Sequence, residues 1–253
     1  MNFIKNILGR IFALWAIIVF CISMFFVWIP VWIISDYKEP ERTIGIFKIF
    51  NVWMKFFFVL TGIRRIFKGK ENLKEGENYI VICNHSSFLD VALASPGIPG
   101  PNKTIAKIEM SRIPLFGAIY KSGSILVDRK SEKSRKRSYV KMKEVLEMGL
   151  HMCIYPEGTR NKTSEPLQRF HDGAFKLAAD TGKAIIPAVI FYTNKVMPAN
   201  KTFYFWPHKV EMHFLDAIII NGKSAEELKQ TSFDVMRDYY MQHCNKQEGR
   251  NRQ

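Results

Sequence analysis

Hydrophobic and polar positions along the 253-residue chain fall into two regimes. From Ile11 to Ile34, 24 consecutive residues carry no charge, between Arg10 and Asp36. As a helix this run is ~36 Å long, enough to cross the ~30 Å hydrocarbon core of a bilayer with some tilt. It is too long for a signal-peptide core and lacks a small-x-small cleavage site, so it is expected to be retained, with Pro30 kinking or ending it. A second apolar segment, Thr43 to Ile63, carries Lys48, Asn51 and Lys55 on one helical stripe, the pattern of a helix at an interface or facing a partner. Past Gly69, short apolar runs alternate with amphipathic ones. The pattern predicts strands near Tyr79–Cys83, Thr104–Lys107, Ser124–Arg129, His151–Tyr155, Ala184–Tyr192 and Val210–Leu215. It predicts helices near Ser86–Ala94, Glu109–Ile119, Ser134–Met148, Gly173–Ala179 and Ala225–Gln242. The expected architecture is α/β, a mixed sheet flanked by helices, with a membrane-associated two-helix segment over 1–66 and a catalytic domain over 67–253.

Charge adds a topology. Lys5 and Arg10 precede the first segment, and Arg64, Arg65, Lys68 and Lys70 follow the second. Basic flanks favour the cytoplasmic side, so the pair is expected to form a membrane-anchoring hairpin with its tip outward or inside the bilayer. That leaves the catalytic domain on the cytoplasmic side of an inner or cytoplasmic membrane. Thirty-seven Lys and Arg against 23 Asp and Glu give a net charge of +14, which suits anionic partners without choosing among lipid, nucleic acid and phosphorylated substrates. Much of the excess lies between Arg129 and Lys143, either a solvated helix face or a patch facing anionic lipid. The four cysteines show no paired spacing, so neither a disulfide framework nor a zinc site is indicated.

Candidate chemistry begins where the first of those strands stops at Asn84-His85-Ser86-Ser87-Phe88-Leu89-Asp90. Ser86 and Ser87 are good N-cap types, which puts His85 on a strand-to-helix turn. Five residues apart on one regular helix, His85 and Asp90 would not face each other. With His85 before the helix and Asp90 one turn inside it, the carboxylate can hold one ring nitrogen and leave the other to accept a proton, the geometry of a general base. A capping-region histidine with a solvated aspartate is the plainer reading of the same spacing. Further on, Gly123-Ser124-Ile125-Leu126-Val127-Asp128-Arg129 presents an acid and a base at a strand's carboxyl end, where ligand sites collect in open α/β sheets. Tyr155-Pro156-Glu157-Gly158-Thr159-Arg160 places a carboxylate, a hydroxyl and a guanidinium on one tight turn. Arg160 suits a phosphate, Glu157 a hydroxyl or an arginine, and Gly158 a close backbone approach. Lys107, at another strand end, is either a solvated cap or a point charge for phosphate.

Asn84-His85-x4-Asp90, Gly123-x-Ile125-x-x-Asp128-Arg129, Tyr155-Pro156-Glu157-Gly158-Thr159-Arg160 and Ile186-Pro187 resemble, in order and spacing, the four motifs of the glycerolipid acyltransferases of the 1-acyl-sn-glycerol-3-phosphate type. The match runs from about Tyr79 to Tyr192, and the apolar N-terminal pair is similar to the membrane anchor that many members carry. The resemblance implies that His85 is the general base and Asp90 its partner. It implies that Lys107, Arg129 and Arg160 help bind phosphate and that Glu157, Gly158 and Thr159 shape the acceptor site. The acceptor implied is lysophosphatidate, and the donor acyl-CoA or acyl-carrier protein. No cofactor, metal or nucleic acid is implied. Tyr155 stands where phenylalanine is usual, and His171 and Asp172 stand where many members have lysines, which puts in doubt a phosphate contact there. Glycerol-3-phosphate or another lysolipid is an alternative acceptor. Two rival readings stay open at this point: a hydrolase or thioesterase with Ser86, Ser87 or Cys153 as nucleophile, and a membrane-tethered binder of anionic lipid or nucleic acid.

Overall fold

A computed structural model describes residues 2–113 and 116–250. The chain opens with two long helices, α1 (Asn2–Ser35) and α2 (Glu41–Leu60), followed by strand β1 (Arg65–Lys68). Then come β2 (Ile80–Cys83), α3 (Leu89–Gly97), β3 (Asn102–Lys107), α4 (Phe116–Ser122) and β4 (Ser124–Val127). The remainder is α5 (Glu132–Glu147), β5 (His151–Ile154), α6 (Gly173–Thr181), β6 (Ile185–Phe191), α7 (Thr193–Val196), β7 (Val210–Phe214) and α8 (Ala225–Arg250). The strands form one sheet in the order β1-β7-β6-β2-β5-β3-β4. Pairing is parallel except between β6 and β7, so the sheet is mixed as expected.

Two cores, one on each face, cover the sheet. Successive side chains of a strand point to opposite faces, and each core takes alternate residues. Val81, Cys83, Cys153, Ile186, Ala188 and Ile190 face the core built with α1, α2 and α3. Ile80, Ile82, Met152, Ile154, Ile185 and Val189 face the core built with α5, α6 and α8. Covered on both sides, β2 is apolar at every position and β5 at every position past His151, which explains why both read as apolar runs in the sequence. The parallel strands β2 to β6 all deliver their carboxyl ends to one edge, and that edge carries His85, Lys107, Asp128, Arg129 and the turn at Tyr155.

Several local expectations change. α1 runs through Pro30 to Ser35 rather than stopping there. β1 is an additional strand, and the helix expected over Glu109–Ile119 is instead a short 3-10 helix, Ile108–Arg112, followed by α4, with 114 and 115 outside the described residues. α3 starts at Leu89, later than Ser86 or Ser87. The basic face of α5 is exposed and lies on the opposite side of the sheet from α1 and α2.

α1 and α2 are each long and apolar enough to cross a membrane, by length and composition. α1 exposes Ile11, Leu14, Ile18, Ile22, Phe25, Phe26 and Ile29 along its length. The connector between the helices, expected at a tip remote from the catalytic domain, lies against it. Glu39 accepts a hydrogen bond from Lys103 Nζ of β3 at 2.6 Å, and also bonds Arg42 and the hydroxyl of Thr43. Burial disfavours the charge on Glu39, but the bonds from Lys103, Thr43 and Arg42 outweigh it and draw its pKa from 4.5 to about 2. A depressed carboxylate pKa means that this stabilisation is complete above pH 4.5 and is lost as the pH falls through about 2. Lys103→Ala is expected to cost about 1–2 kcal/mol, the range for a bond to a charged group, with the two side chains 11% and 18% exposed and so still partly screened by solvent. Faster protease cleavage between 36 and 42 would report the freed connector, and an unchanged cleavage rate would show that the pair holds nothing.

Candidate active site

β2 ends at Cys83, and the next residue, Asn84, is buried and fastens the strand's exit to β6. Its side chain donates to Ile190 O at 3.0 Å and accepts from Ile190 N at 2.6 Å. His85 then turns out of the sheet with its side chain 17% exposed, while that of Asp90 is fully buried. Asp90 Oδ2 lies 2.8 Å from His85 Nδ1 and accepts the backbone N–H groups of Ser86 at 2.6 Å and Ser87 at 2.8 Å. An oxygen that already accepts two N–H bonds is the acceptor for the ring as well, so Nδ1 carries the proton and Nε2 is the basic nitrogen. Asp90 thus gathers the N–H groups ahead of α3, and Ser87 Oγ accepts Leu89 N at 3.2 Å, so carboxylate and serine hydroxyl share the capping of this turn. The solvated-aspartate reading of this pair is thereby excluded.

The Tyr155–Arg160 turn closes on the same histidine. The Tyr155 ring packs on the His85 ring with centroids 4.6 Å apart. Glu157, 2% exposed, takes His85 N on one oxygen at 2.7 Å and Gln168 N on the other at 3.0 Å. Glu157 therefore braces the turn by its backbone; the hydroxyl or arginine expected as its partner is not what its oxygens hold. Burial lifts its pKa from 4.5 to about 7, against the two backbone bonds, which favour the charged form. Gly158 has a φ of 69°, and a Cβ there would come 2.8 Å from the His171 ring, so only glycine fits this turn.

Arg129, exposed just beyond β4, donates from Nη1 to the carbonyl of Gly158. Asp128 caps its own turn by accepting Lys130 N at 2.9 Å. The Arg160 guanidinium lies 3.6 Å from the centroid of Phe88, between His85 and Asp90 in sequence. Motifs that are 29 to 72 residues apart thus meet at one edge: His85 and Asp90, Arg129, and Glu157 through Arg160. Lys107 sits exposed at the end of β3, in register with Val127 of β4, with no hydrogen bond or ion pair to the others among the described residues. Thr159 is exposed on the turn. Two of the three rival nucleophiles are badly placed: Ser87 is fully buried with its hydroxyl on Met197 O at 2.9 Å, and Cys153 is 1% exposed on β5, whereas Ser86 is half-buried with its hydroxyl 3.4 Å from that of Thr193. Gln168 is a residue that the sequence did not single out; Asn84 and Tyr155 stood in the motifs, but the bonds of the one to Ile190 and the packing of the other on His85 depend on long-range partners.

A protein-family model described as Acyltransferase matches residues 64–191, half of the chain. The chain belongs to the acyltransferase family. A putative 1-acyl-sn-glycerol-3-phosphate acyltransferase of Caenorhabditis elegans is 30% identical over 213 residues, covering 83% of this chain and 74% of that protein. The 1-acyl-sn-glycerol-3-phosphate acyltransferase of Borreliella burgdorferi is 31% identical over 158 residues, which span 62% of this chain and 63% of the relative. The match to a Chlamydomonas reinhardtii protein described in the same words spans 48% of that relative. The crystal structure of the 1-acyl-sn-glycerophosphate acyltransferase PlsC of Thermotoga maritima superposes with a TM-score of 0.80 over 96% of this chain and 97% of that one, at 22% identity. Sharing of the acyltransferase fold therefore extends over α1 and α2 as well as the sheet.

Proposed function

We propose that this acyltransferase transfers a fatty acyl group from a thioester to the sn-2 hydroxyl of 1-acyl-sn-glycerol-3-phosphate, giving phosphatidic acid. The observation that carries the reading is the convergence of Arg129 and Arg160 on the turn that packs against a carboxylate-held histidine. His85 Nε2 takes the acceptor's hydroxyl proton as the oxygen attacks the thioester carbonyl, and gives it to the sulfur as the C–S bond breaks, so that the thiol leaves and the imidazole is neutral again. Asp90 stabilises the imidazolium and holds the ring's orientation. Arg129 and Arg160 grip the acceptor phosphate, which carries close to two negative charges near neutral pH, and so position the hydroxyl; Lys107 adds positive charge at the same sheet edge. Gly158 and Thr159 line the acceptor's approach, while Glu157 sets the turn from below. The exposed apolar flank of α1 faces lipid, and α2, packed on α3, keeps the catalytic edge next to that lipid. Basic residues at both ends of the helix pair favour the cytoplasmic side for the catalytic domain.

The test offers the purified chain in lipid vesicles a panel of labelled lysophosphatidate, glycerol-3-phosphate and lysophospholipids without a terminal phosphate, each with acyl-CoA and with acyl-carrier protein. Lysophosphatidate is expected to be acylated fastest, and Arg129→Ala to raise its KM more than it lowers kcat. Faster acylation of a lysolipid lacking the phosphomonoester would overturn the acceptor assignment.

A further inference from the structure

We propose that Glu211, His213 and His243 bind a single divalent transition-metal ion, Zn2+ by the chemistry of the donor set, where α8 crosses β7. The sequence indicates no such site, because the three residues are separated by a loop and most of a helix. Glu211 and His213 alternate on β7, so they project from the same face of the sheet, and α8 brings His243 over that face. One donor atom from each lies within 4.8 Å of the others. His213 Nε2 is 2.9 Å from Glu211 Oε2, and His243 Nε2 is 3.7 Å from the same oxygen. Donors around a tetrahedral zinc, with bonds of ~2.0–2.1 Å, are about 3.3 Å apart. The two observed separations bracket that value, and the third, between the two imidazoles, is within 4.8 Å.

The surroundings are those of a ligating set rather than of three residues meeting by chance. His213 Nδ1 lies 3.0 Å from the hydroxyl of Tyr239, one turn before His243 on α8, and that contact holds the ring with Nε2 toward the cluster. Lys209 Nζ occupies Glu211 Oε1 at 3.0 Å, leaving Oε2 for the imidazoles. Glu211 and His213 are 3% and 1% exposed, on a strand flanked on both sides, so the site is rigid. The ring of Tyr192 lies 6.3 Å from that of His243, its backbone is left-handed at φ 68°, and its buried hydroxyl has no hydrogen-bond partner among the described residues. A water on the ion's fourth position would give that hydroxyl one. Two imidazoles and one carboxylate suit zinc among the common divalent ions, since magnesium and calcium prefer oxygen donors. A plain Glu211–His213 hydrogen bond accounts for two of the three residues, so His243 separates the readings. The ion would tie α8 to the sheet, apart from the chemistry at His85.

Full-length, untagged protein in detergent is freed of metal with chelator, given an equivalent of Zn2+, desalted and analysed for metal by mass spectrometry. Wild type is expected to retain about one zinc per chain and to unfold at a higher temperature than the apo form, since an ion that binds only the folded state stabilises it. His243→Ala should lose both effects, and Tyr239→Phe should weaken zinc binding by about 10–100-fold. Co2+ given to wild type should produce visible ligand-field absorption, a readout that does not depend on any variant folding. Absence of retained zinc and of the cobalt spectrum in wild type, or equal zinc retention by His243→Ala, would overturn the site.

Discussion

Replacing His85 by alanine is expected to lower turnover by about 10²–10⁴-fold, the usual contribution of a positioned base. The chain should stay folded. The His85 side chain is partly exposed, Asp90 keeps its bonds to Ser86 N and Ser87 N, and Glu157 binds residue 85 through the backbone, which alanine retains. KM for the acceptor should change little, because the phosphate grip is assigned to arginines on other turns. Turnover within a few-fold of wild type, in a variant that unfolds like wild type, would remove the base from His85.

Glu157→Gln should have the second-largest effect, and through a different route. The glutamate spends both oxygens on backbone N–H groups, from His85 and from Gln168. An amide offers one oxygen and one NH2, so one of those donors faces another donor; an unsatisfied buried N–H costs about 1–3 kcal/mol. The histidine turn then shifts relative to the arginines, and a misplacement of that kind can cost up to about 10²-fold in turnover. The pH dependence gives a sharper signature. Burial raises the Glu157 pKa from 4.5 to about 7, so between those values the folded form holds its proton more tightly than the unfolded one. Stability contributed by this group is thus complete below pH 4.5 and falls as the pH rises through about 7. Thermal unfolding of wild type across pH 5 to 8 should carry this decline, and Glu157→Gln should flatten it. Parallel curves for the two proteins would show that the carboxyl does not titrate in this window.

The parts of the site that a reader of the sequence could place are those whose cause is local. A run of β-branched residues stopping at His85, or a strand ending in Pro156 and Gly158, declares both the element and its exposed end. The His85–Asp90 pairing follows from a five-residue spacing across a helix start. What the sequence hides is long-range. Nothing in Tyr155-Pro156-Glu157-Gly158 says that the carboxylate will serve a backbone N–H 72 residues earlier in the chain. Arg65-Ile66-Phe67-Lys68 reads as a basic flank after a membrane segment, and becomes a strand only because β7 offers it a parallel edge. The serines before α3 look like caps, and Ser87 is one, taking Leu89 N, but that Asp90 reaches back for the serines' own N–H groups is seen only in the fold. Charge counts around α1 and α2 set a tendency for the flanks, but an ion pair from the connector to β3 depends on a fold that no local pattern encodes.

That ion pair bears on how the protein meets its substrates. With Glu39 fastened to Lys103 at one end of α2, and Leu60 leading within a few residues into β1 at the other, the greasy pair and the sheet form one stiff body. With both ends of α2 tied to the sheet, the helix pair keeps a fixed orientation relative to the catalytic edge for as long as that ion pair holds. Under the proposed function, with α1 and α2 as the anchor, the depth of the imidazole relative to the lipid surface would be a constant of the fold, and lipid alcohols would reach it by sliding sideways within the leaflet rather than by leaving it.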